Sequence, residues 1–380
     1  MSTIAARIYA ELQGDKAIWA VLALLTVFSV LAVYSSTGTL AYRVKGGDTE
    51  AYLFKHGMIL VGGLLLAYLS HLLHYKKYAN AAPYLLALSI PLLMYTIGFG
   101  PEINEAKRWI QIPFVGITFQ SSAFASIALV IYVARAISSK QDYIKDFQSA
   151  FIPIIVPILI VCGLIAPADL STAAVLFFTC IFMMFIGRVA LQYIFLLLFL
   201  GIALFSMLIA LGEFFPETIR VKTWISRVIE FTSDPDGVYQ VRQAKIAIAN
   251  GEFFGLGPGN SIQRNFLPSP YSDFIYAIIC EEYGVIGGIV VIGLYLLLMF
   301  RVTRLVTKSP KAFGAMLAIG LAVSMVLQAF FNIAVSVNLI PVTGLTLPMI
   351  SMGGTSILFT CISFGMILSV SKYIESVANE

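Results

Sequence analysis

The sequence predicts an all-α polytopic integral membrane protein of about ten transmembrane helices, with one long extracytoplasmic loop between the seventh and eighth. Three observations predict it. Of 380 residues, 59% are apolar and 12% charged, about half the charge of an ordinary soluble domain. Mean hydropathy is +0.91. Apolar stretches close to the roughly 20 residues that cross a bilayer core recur along the whole chain. The net charge of +4 is too small and dispersed for a nucleic-acid surface, so no nucleic-acid partner is expected. Cys162, Cys180, Cys280 and Cys361 lie in apolar runs without metal-ligand or disulfide spacing and read as packing residues.

Taken in order, a cytoplasmic tail at 1–17 precedes a first span at 18–36. Arg7 and Lys16 flank that span, and no small-x-small cleavage site follows it, so it reads as retained. Spans follow at 56–73, 83–99, 119–137, 151–167, 171–187 and 189–211. Pro167-Ala168-Asp169 divides the fifth from the sixth, and Gly187-Arg188 the sixth from the seventh. The long loop occupies 212–272; spans at 273–300, 312–337 and 346–371 and a tail at 372–380 complete a single membrane domain.

The placement of Lys and Arg in short loops sets orientation. With the N-terminus inside, thirteen lie on the inner side and five on the outer: Arg43, Lys45, Lys55, Lys107 and Arg108. Both termini are therefore expected in the cytoplasm and the long loop outside. Within that loop, Ile219, Trp224, Ile225, Val228 and Ile229 share one face of a helix at 217–231, a pattern suited to the membrane interface. A second helix at 238–250 would stop at Asn250-Gly251. Simple loop packing accounts for both segments equally well.

Ionisable residues at membrane depth are costly unless paired or facing water, which makes them informative. Asp169 stands at the outer turn between the fifth and sixth spans, Asp273 opens the eighth, and Glu281 and Glu282 lie about two turns further in. Asn332 and Asn338 flank the end of the ninth. Asp273 has two readings, a helix cap that tolerates Asn and a proton acceptor that does not. Glu281 and Glu282 point about 100° apart, so one is expected to line a polar cavity and the other to pair with a helix neighbour or the backbone. Arg242, Lys245 and Arg264, with Lys107 and Arg108, supply cations on the Asp273 side; guanidinium forks suit pyrophosphate, and lipid headgroups are the blander partner. Gly255-Leu256-Gly257-Pro258-Gly259-Asn260 lacks a surrounding βαβ unit and reads as a sharp turn with close backbone approach. His71 and His74, beside Lys76 and Lys77, read as interfacial residues rather than a metal pair. There is no Ser/His/Asp arrangement, Walker loop or haem-ligand pair, so an ATP-driven enzyme is unsupported.

Several stretches, in order, resemble the SEDS family of bacterial wall synthesis, which comprises FtsW and RodA. They are Tyr34-Ser35-Ser36, Asn104-Glu105-Ala106-Lys107-Arg108-Trp109-Ile110, Phe119-Gln120, Asp169-Leu170-Ser171-Thr172 and Gln240 through Gly251. The densest are Gly255 through Ser261, Leu267-Pro268, Asp273-Phe274-Ile275-Tyr276-Ala277 and Glu281-Glu282-Tyr283-Gly284. Asn332, Pro341 through Pro348 and Ser351 through Ser356 close the series. The Tyr271-to-Tyr276 and Glu281-to-Gly284 stretches lean towards the FtsW branch.

The resemblance implies a peptidoglycan glycosyltransferase polymerising lipid II at the outer face of the bacterial cytoplasmic membrane, beside a class B penicillin-binding transpeptidase and other division or elongation membrane proteins. A septal location follows from the FtsW lean, with a RodA-like elongation role as the alternative. The family's essential acid falls on Asp273 as general base. The expected substrate-binding set, for lipid II and the lipid-linked glycan strand, is Arg108, Trp109, Asp169, Gln240, Arg242, Lys245, Asn260, Ser261, Arg264, Glu281, Glu282, Asn332 and Ser351. Arg, or a divalent cation such as Mg2+ or Mn2+, must offset the pyrophosphate charge. The family's Gln-Pro-Ser-Glu-Phe stretch with a nearby Lys is here Gln120 through Ser126, with Ala123 and Ser126 in place of both charges. Asp169 must then find another cation, bind water or be protonated. Met352 replaces the usual aromatic and keeps its bulk. A lipid II flippase or a non-catalytic scaffold for the transpeptidase are the alternatives from other classes.

Overall fold

The computed structural model describes residues 13–38, 49–102, 107–111, 118–214, 219–233 and 237–378. Arg7, Arg43, Lys45 and the Asn104-Glu105-Ala106 stretch lie outside the described residues. The regular elements of the described chain are helices, except for one short hairpin. Nine of its helices are long and apolar enough to cross a membrane, and Leu170–Ile186 is a shorter apolar helix. Contacts divide the chain into two compact units. One comprises Met1–His71, Arg227–Arg301 and Met325–Glu380; the other Leu72–Ser226 and Val302–Ser324.

Helix α1 (Lys16–Ser36) begins where Asp15 caps it: the Asp15 carboxylate accepts from the amides of Ala17 (2.8 Å) and Ile18 (3.3 Å). The other Asp15 oxygen takes Nε and Nη2 of Arg301 at 2.9 and 2.5 Å, so the start of the helix is also pinned by charge. Helices α2 (Thr49–Leu72) and α3 (Lys76–Phe99) follow. The third span was expected from residue 83; it starts seven residues earlier because the polar Lys76-to-Asn80 stretch forms its first turns, leaving Pro83 and Pro91 inside.

An antiparallel ribbon, β1 (Trp109–Gln111) and β2 (Thr118–Gln120), pairs Trp109 with Gln120 and precedes α4 (Ser121–Ser139). Asp146 caps a π-turn at Phe147–Phe151 that runs into α5 (Ile152–Ile165). Its carboxylate accepts the Ser149 amide, which holds the Asp146 acid below its usual range. Then come α6 (Leu170–Ile186), capped by Asp169, and α7 (Leu191–Phe214). The two loop helices are α8 (Val221–Ser233) and α9 (Tyr239–Asn250), close to the segments their periodicity predicts.

Helix α10 (Ile275–Thr307) is 33 residues long and broken at Gly284, whose φ of 68° and ψ of −173° leave the helical region. The backbone of Phe253 and Phe254 lies against that break: a Cβ on Gly284 would stand 2.2 Å from the Phe253 carbonyl oxygen. Opposite it, Gly255 has φ of 82°, and a Cβ there would stand 2.1 Å from the Glu282 carbonyl oxygen. Only glycine permits both the left-handed turn and the approach. Gly284→Ala is therefore expected to give little folded protein in detergent, checked by size-exclusion recovery and thermal unfolding. A Gly284→Ala protein with unchanged recovery and unfolding temperature would contradict this packing.

Helix α11 (Ala312–Ser336) matches its predicted span. The last does not: expected over 346–371, α12 runs over Thr355–Ala378. Pro348, the left-handed Met349 and Gly353-Gly354 keep 345–354 out of the helix, although its apolar residues read as membrane. Here α9 packs Val241, Ala244 and Ala247 against Phe274, Ala277 and Ile278 of the α10 region and Val335 of α11. That cluster sets the loop helix on the turn that carries Asp273.

Candidate active site

Asp273 lies two residues ahead of α10, and the Phe274 carbonyl is the acceptor that begins the helical ladder, from Ala277 at 3.0 Å. Three consecutive carbonyls of this turn are each held from outside it. The Met352 amide donates to Tyr271 O (2.9 Å), the Ser351 hydroxyl to Ser272 O (2.6 Å), and Asn332 Nδ2 to Asp273 O (2.8 Å). The backbone that presents Asp273 is thus fixed residue by residue. Its carboxylate is half-buried, accepts the Ser272 hydroxyl on Oδ1 at 2.8 Å, and has the left-handed Gly344 beside it. A methyl on Gly344 would stand 3.8 Å from Oδ2, so the glycine keeps a side chain off the acid. Burial, reinforced by Tyr52 and the Asp273 charge, pushes the Tyr271 phenol above its usual range, so it keeps its proton beside the carboxylate.

Both glutamates, and not one alone, make the backbone pairing expected of the second, since both are buried against the loop. Glu281 accepts the Ser261 hydroxyl and the amides of Ile262 and Gln263 at 3.2 Å. Glu282 accepts the Ser35 hydroxyl and the Ser261 amide at 3.3 Å. Their own carbonyls take the amides of Leu256 (2.9 Å) and Gly257 (3.0 Å). Arg264 Nη1 reaches Ser35 O (3.0 Å) and Oγ (3.3 Å), setting a cation beside Glu282. Ser261, Glu281, Glu282, Asn332 and Ser351 therefore direct polar groups at the protein's own loop rather than outward. Asn260 is exposed, with Nδ2 on Leu256 O at 3.0 Å.

On α9, Arg242 is exposed while Lys245 and Gln240 are half-buried. Arg242 and Lys245, three residues apart, share a helix face. Among the described residues, no group of three or more His, Cys, Asp or Glu is placed to hold a metal ion.

Arg108, Trp109 and Asp169 belong to the second unit. Here the missing family charges find an answer: Arg108 Nη1 lies 3.3 Å from Asp169 Oδ2, and its Nε donates to Ala168 O at 2.9 Å. Asp169 Oδ1 also caps α6 through the Thr172 amide at 3.1 Å. The cation comes from the ribbon, where half-buried Trp109 pairs with Gln120. Lys107 and Arg108 line a cavity with Thr96, Ser121, Ser122 and Asp169. Asp169→Ala is expected to cost about 1–3 kcal/mol, the worth of charge-assisted bonds lost to a buried acid. Asp169→Asn, which still caps, is expected to cost less. Thermal unfolding of both variants checks the order, and equal losses would contradict the cap.

Sequence reasoning did not nominate Ser35, Ser272 or Gly344 for the site, although Ser35 and Gly344 stand within the family-like stretches.

The family model FTSW_RODA_SPOVE, described as "Cell cycle protein", matches residues 15–376. The chain is 34% identical over 353 residues to the "Probable peptidoglycan glycosyltransferase FtsW" of Trichlorobacter lovleyi, covering 91% of this chain and 90% of that protein. It is 34% identical over 331 residues to the protein of the same description from Nitrosococcus halophilus, covering 85% and 84%. Among solved structures, it is similar to a chain from a study of a peptidoglycan synthase complex (TM-score 0.72, 22% identity, 95% of this chain and 98% of that one). It is also similar to the rod-shape-determining protein RodA of Thermus thermophilus (TM-score 0.68, 23% identity, 94% and 96%). With the family pattern matched from just before the first helix into the final turn of the last, the chain belongs to the FtsW/RodA/SpoVE, or SEDS, family.

Proposed function

We propose that this chain is a peptidoglycan glycosyltransferase that polymerises lipid II during division, with Asp273 as its general base. The observation that carries the assignment to Asp273 is the triple hold on the carbonyls of residues 271–273, which presents a half-buried carboxylate in a fixed position. A cap needs no such hold, since a cap is itself fixed by the helix it begins. General-base chemistry does need it, because the carboxylate must stand within hydrogen-bond reach of the proton it takes.

In the reaction, a hydroxyl oxygen of the acceptor sugar bonds to the anomeric carbon of the donor. The bond from that carbon to the pyrophosphate oxygen breaks with its electron pair, and the hydroxyl proton passes to Asp273. The configuration inverts, as expected for direct displacement. The departing lipid pyrophosphate carries the charge, which Arg242 and Lys245 on α9 and Arg264 on the loop are suited to offset. Those three cations belong to the same unit as Asp273.

The chain works in the bacterial cytoplasmic membrane with both termini cytoplasmic and the Asp273 end outside, beside a class B penicillin-binding protein at the septum. The test is extension of labelled lipid II by the purified protein in lipid nanodiscs with its transpeptidase. Glycan polymer supports the reading; lipid II moved across a vesicle bilayer with no polymer would replace it with transport.

A further inference from the structure

The segment 345–352 is irregular backbone between membrane-spanning helices, a setting in which each carbonyl needs a partner from the protein. Helix side chains supply them. Asn332 Nδ2 donates to Leu345 O (2.7 Å), Gln328 Nε2 to Thr346 O (2.9 Å), Tyr295 Oη to Pro348 O (2.5 Å) and Ser29 Oγ to Ile350 O (3.0 Å). Two of those carbonyls flank Met349, a left-handed residue with φ of 68°. Such a conformation persists in a non-glycine residue only when its surroundings fix it.

Ser29 on α1 is itself 2.9 Å from Nε2 of His56 on α2, and both residues are 0% exposed. The hydroxyl's one hydrogen goes to the Ile350 carbonyl, which can only accept. Nε2 therefore carries a hydrogen and donates to Ser29 Oγ. His56 Nδ1 meets no hydrogen-bond partner among the described residues, so the ring's one polar contact is this donation. Next to Ile350 stands Ser351, whose hydroxyl holds Ser272 O and receives the Leu347 amide at 2.8 Å.

We propose that His56 and Ser29 are positioning residues for Asp273, a buried relay that fixes the Met349–Ser351 backbone and through it the turn that presents the acid. Neither residue is in the catalytic or substrate-binding set. The relay rests on the reading of Asp273 as general base for its effect on turnover, but not for its hold on the segment. Without the His56 donor, Ser29 is free to rotate away from Ile350 O, Met349 relaxes, and Ser351 no longer sits square to Ser272. Small displacements of a catalytic group slow chemistry without changing how well substrate binds.

The test compares wild type with His56→Leu, His56→Gln and Ser29→Ala in nanodiscs with the transpeptidase and labelled lipid II. His56→Leu is expected to lower kcat about ten- to a hundredfold, with KM for lipid II unchanged. His56→Gln, which keeps an N–H at similar reach, is expected to restore most of that loss. Hydrogen exchange over 271–274 and 345–352 should quicken in His56→Leu and Ser29→Ala and stay as in wild type in His56→Gln. Unchanged exchange in His56→Leu, wild-type kcat in that variant, or a glutamine that restores neither readout overturns the relay. An active Asp273→Asn alongside quickened exchange in His56→Leu overturns the base instead and leaves the relay's hold on the segment standing.

Discussion

Asp273→Asn is expected to abolish measurable glycan polymerisation, a loss of about 10²- to 10⁴-fold for removal of a general base, while the protein folds and unfolds like wild type. The substitution suits the question because Asn is as good a helix cap as Asp and keeps an oxygen able to accept from the Ser272 hydroxyl. Its amide has no basic oxygen for the acceptor's proton. The backbone hold is untouched, since Met352, Ser351 and Asn332 bind carbonyls and not the side chain. Lipid II polymer is read on a gel and folding by thermal unfolding of the same preparation. Polymer from the Asn variant at the wild-type rate would reduce Asp273 to a structural acid. No polymer together with a lowered unfolding temperature would place the loss in folding rather than in proton transfer.

The spans were legible because a bilayer imposes one long apolar run per crossing, and such runs survive in a single sequence whatever their neighbours are. The exception, 346–371, shows the limit. Leu345, Leu347, Met349 and Ile350 are buried as an apolar helix would be, yet Pro348 and the left-handed Met349 hold them as irregular backbone whose carbonyls helix side chains satisfy. Hydropathy sees the burial but not the hydrogen bonds. The same blindness covers the site. Asp273 drew attention as an acid at a helix start, but the supports of its turn come from far along the chain, Asn332 lying 59 residues from Asp273 and Ser351 79 residues from Ser272. One of Glu281 and Glu282 reads as facing a cavity because nothing local shows that a loop some twenty residues earlier folds back onto both. For Asp169 the sequence left three outcomes open, and the contact from Arg108, just ahead of the ribbon, selects the cation.

Removing the donors of Asn332 is expected to damage both stability and turnover. Its side chain is 1% exposed, and both amide hydrogens are committed, one to Asp273 O at 2.8 Å and one to Leu345 O at 2.7 Å. Two carbonyls can face only the NH2 end, so the amide's orientation is settled by its neighbours. Its Oδ1, by contrast, has no hydrogen-bond partner among the described residues, so the residue serves here as a double donor. Asn332→Ala takes the donor from the buried Leu345 carbonyl, at about 1–3 kcal/mol, and from the half-buried Asp273 carbonyl, and releases the Asp273 backbone from its hold by α11. Asn332→Asp is expected to be worse, because it has nearly the same shape but sets carboxylate oxygens against two carbonyl oxygens. The order wild type, Ala, Asp should hold in unfolding temperature and again in lipid II turnover, with kcat falling further than stability alone explains at temperatures where all three are folded. An Asp variant as stable and active as wild type would mean that the α11 contact neither supports the fold nor positions the acid. Ala and Asp variants equally stable but both inactive would keep the positioning role and remove the energetic one, since unpaired carbonyls at this depth would then have found water.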